Sequence, residues 1–147
     1  MGASDKHTVL FLCTGNACRS QMAEGWAKHF GGEAVDVYSA GLAREEVDPR
    51  AIAVMAESGI DISAQNSKLI EELPQEHFDF VITLCDHAKE ECPYFAEGGR
   101  RLHRAFDDPP SLAATAENEE EAMVNYRRVR DEIRSFVEGV LAGVVGG

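Results

Sequence analysis

The chain has 147 residues, enough for one domain with a sizeable buried core. Its 14 Lys and Arg against 26 Asp and Glu give a net charge of -12, which argues against nucleic acid or an anionic membrane as a partner. No apolar run reaches the about 18 residues of a membrane span, and four cysteines without a signal peptide suit catalytic thiols in a reducing, cytoplasmic compartment.

In chain order, Thr8 to Leu12 reads as a short buried strand, and Met22, Trp26 and Phe30 recur every fourth residue, as on the buried face of a helix. Ala34 to Ser39 reads as a second strand. Asp48-Pro49 then opens a helix through an N-cap and a first-turn proline, and Gly59 closes it. Ser67 is expected to cap a short helix running to Leu73 and Pro74. Phe78 to Cys85 ends a third strand pattern, and Leu102 to Phe106 is the expected fourth strand, feeding the Asp107-Asp108-Pro109-Pro110 loop. From about Asn118 an acidic start, then Tyr126, Val129, Ile133, Phe136, Val137 and Val140, marks a long amphipathic helix. Strands alternating with helices predict an α/β fold: a single-domain three-layer sandwich with a four-stranded parallel sheet and right-handed crossovers. Residues 1–6 and 144–147 are expected to fray.

The segment Cys13-Thr14-Gly15-Asn16-Ala17-Cys18-Arg19-Ser20 joins the first strand to the first helix. At a helix start the first amides lack intrahelical acceptors and, with the helix dipole, favour an anion. Gly15 supplies backbone freedom, and Arg19 a forked, permanently charged clamp. The segment therefore reads as an oxyanion pocket with a nucleophile at its floor. The same field is expected to lower the Cys13 pKa toward the reactive thiolate, and Ser20 is placed to donate to that sulfur. In an acidic protein this positive field must be made locally, by Arg19, the helix start and the loop amides.

These residues, continued by Gln21-Met22-Ala23-Glu24-Gly25-Trp26, resemble the active-site loop of thioredoxin-coupled arsenate reductases, which share the low-molecular-weight protein tyrosine phosphatase fold. The resemblance extends through Val37-Tyr38-Ser39-Ala40-Gly41, Thr83-Leu84-Cys85, Cys92-Pro93 and Phe106-Asp107-Asp108-Pro109, nearly the whole chain. It implies a three-cysteine relay in the cytoplasm. Cys13 attacks arsenate, Cys85 resolves the adduct, Cys92 resolves the first disulfide, and thioredoxin reduces the Cys85–Cys92 disulfide. Thr14 to Ser20 would bind the oxyanion. Asp108, which immediately precedes Pro109, would deliver the proton, with Asp107 the weaker candidate. Were residues 86–91 an intact helix, Cys85 and Cys92 would stand roughly 10 Å apart, beyond the roughly 7 Å reach of a disulfide, so bridging requires that segment to unwind.

Some of these reductases bind potassium beside the loop, and the matching positions here are Asn16, Glu24, Ser39 and Lys68. Lys68 stands where an aspartate accompanies the ion, so its ammonium is expected in the cation's place, with potassium not required. No bound cofactor and no metal are expected, and the protein is expected to be a monomer. Two alternatives use the same residues. One is a tyrosine phosphatase that hydrolyses aryl phosphates through Cys13, although Pro110 and Ser111 stand where such enzymes carry an aromatic residue. The other is a metal-binding domain built on Cys85, His87 and Cys92, which lacks four-ligand spacing. His7, His29, His77 and His103 show no ligand spacing, and Cys18 reads as packing with modest redox sensitivity.

Overall fold

A computed structural model describes residues 7–74, 77–86 and 100–146, with side chains as far as residue 143. Its elements are β1 (His7–Cys13), α1 (Arg19–Gly31), β2 (Val35–Gly41), α2 (Pro49–Glu57), β3 (Phe80–Thr83), β4 (Arg100–His103), α3 (Pro109–Ala114) and α4 (Glu119–Gly146). The four strands form one parallel sheet in the order β2-β1-β3-β4. All four carboxyl ends therefore lie along the same edge, where parallel sheets place their ligands.

Alternation along β1 divides the core in two. Val9 and Phe11 face Met22 and Trp26 of α1, Val54 and Met55 of α2, and Val129 and Ile133 of α4. Leu10 and Leu12 face the opposite way, toward Ile70, Phe78 and Val81. The helices α1, α2 and α4 thus share one face. On the other, the described cover is the later part of the connection from β2 to β3, with Ile70, Leu73 and Phe78, where a 3₁₀ turn spans Ile70–Glu72.

Local chemistry accounts for most boundaries. Asp48 caps α2 by accepting from the Arg50 amide at 2.9 Å, Pro49 fills the first turn, and Gly59 follows the helix at φ 82°. The second Asp48 oxygen accepts from the Tyr126 hydroxyl at 2.5 Å, which ties α4 to the start of α2. Asn118 caps α4 through the Glu121 amide at 2.8 Å.

Three expectations shift. Ser67 caps nothing: its hydroxyl donates to Gly15 O at 3.0 Å, and the 3₁₀ turn is held by Glu72, whose carboxylate accepts from the Leu69 amide at 2.7 Å. The fourth strand is Arg100–His103, earlier than Leu102 to Phe106, and Phe106 instead turns into the core against Phe136. The Asp-Asp-Pro-Pro segment opens the helix α3, with Asp108 at its N-cap.

Candidate active site

The segment after β1 wraps into a cup because three contacts leave it no other course. Gly41, at the end of β2, passes so close that a Cβ there would stand 2.7 Å from Asn16 N and 2.8 Å from Thr14 O. Thr14 O accepts from the amides of Leu42 and Ala43 at 2.8 and 2.9 Å. Asn16 turns the chain at φ 53°, the one non-glycine residue with positive φ among those described. Its buried side chain holds that turn. Asn16 Nδ2 donates to Ser20 Oγ at 2.8 Å and to Ser39 Oγ at 3.0 Å, while Oδ1 accepts from the Lys68 amide at 2.7 Å.

Within the cup lies a pocket of about 180 Å³, lined by Cys13, Thr14, Gly15, Ala17, Cys18 and Arg19, with Glu45, Asp108 and Pro110 at its mouth. Pockets for drug-sized ligands run to about 300–1,000 Å³, so this one fits a small anion. The donors suit one. Cys18 begins α1 without a side-chain cap, leaving first-turn amides available. Arg19 is 8% exposed. One of its terminal nitrogens donates to Phe106 O at 3.0 Å and the other lies 3.4 Å from Asp108 Oδ1, whereas its buried Nε has no partner among the described residues. An unpaired buried donor is costly unless a ligand satisfies it.

Two thiols share the floor. Cys13 is 4% and Cys85 7% exposed, the two side chains are hydrogen-bonded, and Thr14 Oγ1 lies 3.3 Å from Cys85 Sγ. The expected lowering of the Cys13 pKa is corrected here. The bond to Cys85 and burial push the thiol well above its usual value, outweighing the pull of Arg19 and of the Thr14 amide. The resting pocket therefore holds a thiol. Ser20 Oγ accepts from Asn16, while the Cys13 thiol donates toward Cys85 and its sulfur accepts from the Thr14 amide. Burial likewise raises Cys18, with Asp48 and Asp108 adding to it.

The two aspartates diverge. Asp107 is drawn away by Arg128, 3.0 Å from its carboxylate, while Asp108 faces the pocket beside Arg19 and accepts from Ser111 Oγ at 2.7 Å. Beside the loop, Ser39 Oγ donates to Glu24 Oε1 at 2.5 Å, and the ammonium on Glu24 is that of Lys28 at 2.6 Å. Lys68 Nζ donates to Asn66 O at 2.7 Å, and burial lowers its pKa although Glu24 opposes the shift. Thus Lys28 holds the direct ion pair, and Lys68 reaches Asn16 through its backbone. Cys92, Pro93 and His87 lie outside the described residues, and no cluster able to hold a metal occurs among those described.

Gly41 and Glu45 carry no local signal of a role in the sequence. The close approach at Gly41 becomes apparent only when β1 and β2 pair with Cys13 opposite Gly41. The i,i+4 spacing of Glu24 and Lys28 was the one readable hint.

A strand-loop-helix anion cup with a cysteine at its floor, at the carboxyl edge of a four-stranded parallel sheet, is a phosphatase-type architecture. The chain belongs to the low molecular weight phosphotyrosine protein phosphatase family, whose profile matches residues 8–145. Within that fold its similarity runs to arsenate reductases. That of Halalkalibacterium halodurans is 48% identical over 88% of this chain and 91% of its own length, and that of Bacillus subtilis strain 168 is 47% identical over 85% and 88%. A solved arsenate reductase in the phosphate-binding state superposes with a TM-score of 0.77 at 36% identity, covering 93% of this chain and 98% of that one. A thioredoxin-dependent arsenate reductase of Corynebacterium glutamicum gives 0.74 at 25% identity over 97% of this chain and 63% of that one.

Proposed function

We propose that the protein is a cytoplasmic arsenate reductase that draws its electrons from thioredoxin. The observation that carries the reading is the Cys13–Cys85 contact beside Arg19. A phosphatase needs one thiol at the floor of its pocket, whereas a reductase needs a second within reach of the first.

Arsenate seats on the loop amides and Arg19, filling the unpaired Nε. It takes the proton of Cys13, and the thiolate so formed attacks arsenic. A hydroxyl leaves as water with the proton of Asp108, giving a sulfur–arsenic bond. Cys85 attacks the Cys13 sulfur next. A sulfur–sulfur bond forms, the sulfur–arsenic bond breaks with its electron pair on arsenic, and the Cys85 proton passes to the departing arsenite. Cys92 then attacks Cys85, returning Cys13 as a thiol, and thioredoxin reduces the Cys85–Cys92 disulfide by exchange. Arsenic gains two electrons and the two thiols lose them. Lys28 and Lys68 supply the positive charge beside Glu24, so potassium is not required.

The test is NADPH consumption by the purified protein with thioredoxin and thioredoxin reductase. Arsenate-dependent consumption is the expected result. No consumption, with hydrolysis of p-nitrophenyl phosphate intact, would overturn the reading in favour of a phosphatase.

A further inference from the structure

Glu45 stands where a carboxylate is least expected, at the rim of an anion pocket. Its amide donates to Gly15 O at 3.2 Å and to Ser67 Oγ at 3.1 Å, which fastens the residue to the loop. Its carboxylate lies over Gly15: a Cβ there would stand 2.5 Å from the carboxyl carbon and 2.7 and 2.8 Å from its oxygens. The neighbouring Arg44 is ion-paired with Glu72. Among the described residues, the Glu45 carboxylate itself has neither a hydrogen bond nor an ion pair. The fold therefore makes no visible use of this charge, and near a bound anion it opposes binding.

We propose that Glu45 selects free inorganic oxyanions over phosphate monoesters. This rests on the arsenate reading of the pocket. A tetrahedral oxyanion that turns three oxygens toward the loop presents its fourth corner to the mouth, between Glu45, Asp108 and Pro110. In free arsenate or phosphate that corner is a hydroxyl. Its oxygen accepts the proton of Asp108, and its hydrogen can be donated to Glu45, which converts a repulsion into a charge-assisted hydrogen bond. In a monoester the corner carries carbon. It has no hydrogen to donate, so the repulsion stands, and the ester group must also pass the Glu45 side chain. Discrimination by an unfavourable contact with the wrong substrate is a common route to specificity.

The experiment compares the parent with Glu45→Ala, Glu45→Gln and Glu45→Asp, using p-nitrophenyl phosphate as the ester and inorganic phosphate as its competitive inhibitor. One exposed charge at close range is worth about fivefold, so in the Ala and Gln variants the ratio of the phosphate Ki to the ester KM should rise by about that factor. The change should lie in KM and Ki more than in kcat, with Glu45→Asp restoring most of the parent ratio. A ratio unchanged in both neutral variants, or Ki and KM moving together, overturns the proposal. Single-turnover arsenite formation by the parent is measured alongside. Its absence would sink the reductase reading while the phosphate ratio still decides the role of Glu45.

Discussion

Cys13 is held by opposed influences, and the balance makes predictions at the level of single atoms. Cys85 is the largest cause of its raised pKa. Cys85→Ala should therefore speed the alkylation of Cys13 by iodoacetamide near neutral pH, and an unchanged rate would count against the thiol pairing. Cys13→Ser should abolish both arsenate reduction and p-nitrophenyl phosphate hydrolysis, whereas Cys85→Ser and Cys92→Ser should lose multiple-turnover reduction and keep hydrolysis. Stability follows with a definite sign. The folded protein keeps the Cys13 and Cys18 protons more tightly than the unfolded chain, so their contribution is complete below the ordinary thiol value of about 8.5 and is lost as pH rises above it. Urea midpoints falling between neutral and alkaline pH, less steeply in Cys18→Ala, would be the signature. At Gly41 the neighbours are backbone atoms that cannot swing aside, so Gly41→Ala should cost about 1–3 kcal/mol or distort the cup.

Among the elements, the Asp48 carboxylate serves two, capping α2 with one oxygen and holding Tyr126 of α4 with the other. Asp48→Ala removes a cap worth about 1 kcal/mol and leaves a buried hydroxyl unpaired at about 1–3 kcal/mol, so it should destabilise more than Tyr126→Phe. Equal urea midpoints for the two variants would show the cap to be idle. This cap was readable beforehand because Asp-Pro is a local signal. The first strand and helix were readable for the same reason, from a short apolar run and a four-residue recurrence. Other features were not local. The β4 strand has Arg100 and Arg101 at a sheet edge, where the core imposes little alternation, so the more apolar Leu102 to Phe106 looked like the better strand. Ser67 resembled a helix cap, yet its hydroxyl is taken by Gly15, 52 residues away. Cys13 and Arg19 could be named from their spacing between a strand and a helix, and Cys85 from the family resemblance, whereas Glu45 could not, since a glutamate in a polar loop looks like any solvated charge.

For the molecule as a whole, a net charge of -12 surrounds a site that must attract an anion. Salt screens long-range repulsion over about 10 Å at 0.1 M, so the arsenate KM should fall modestly on adding salt, with the same curve in sodium and potassium chloride. A steeper response to potassium alone would restore an ion to the place beside Glu24. The sheet gathers its chemistry at one edge, and the burial of both thiols there has a further consequence. Electrons arriving from outside meet two cysteines that are each less than a tenth exposed. In the proposed relay, a reductant too large to reach this depth must take its turn at a disulfide carried outward, so the cell's choice of reductant would be enforced by depth as much as by recognition.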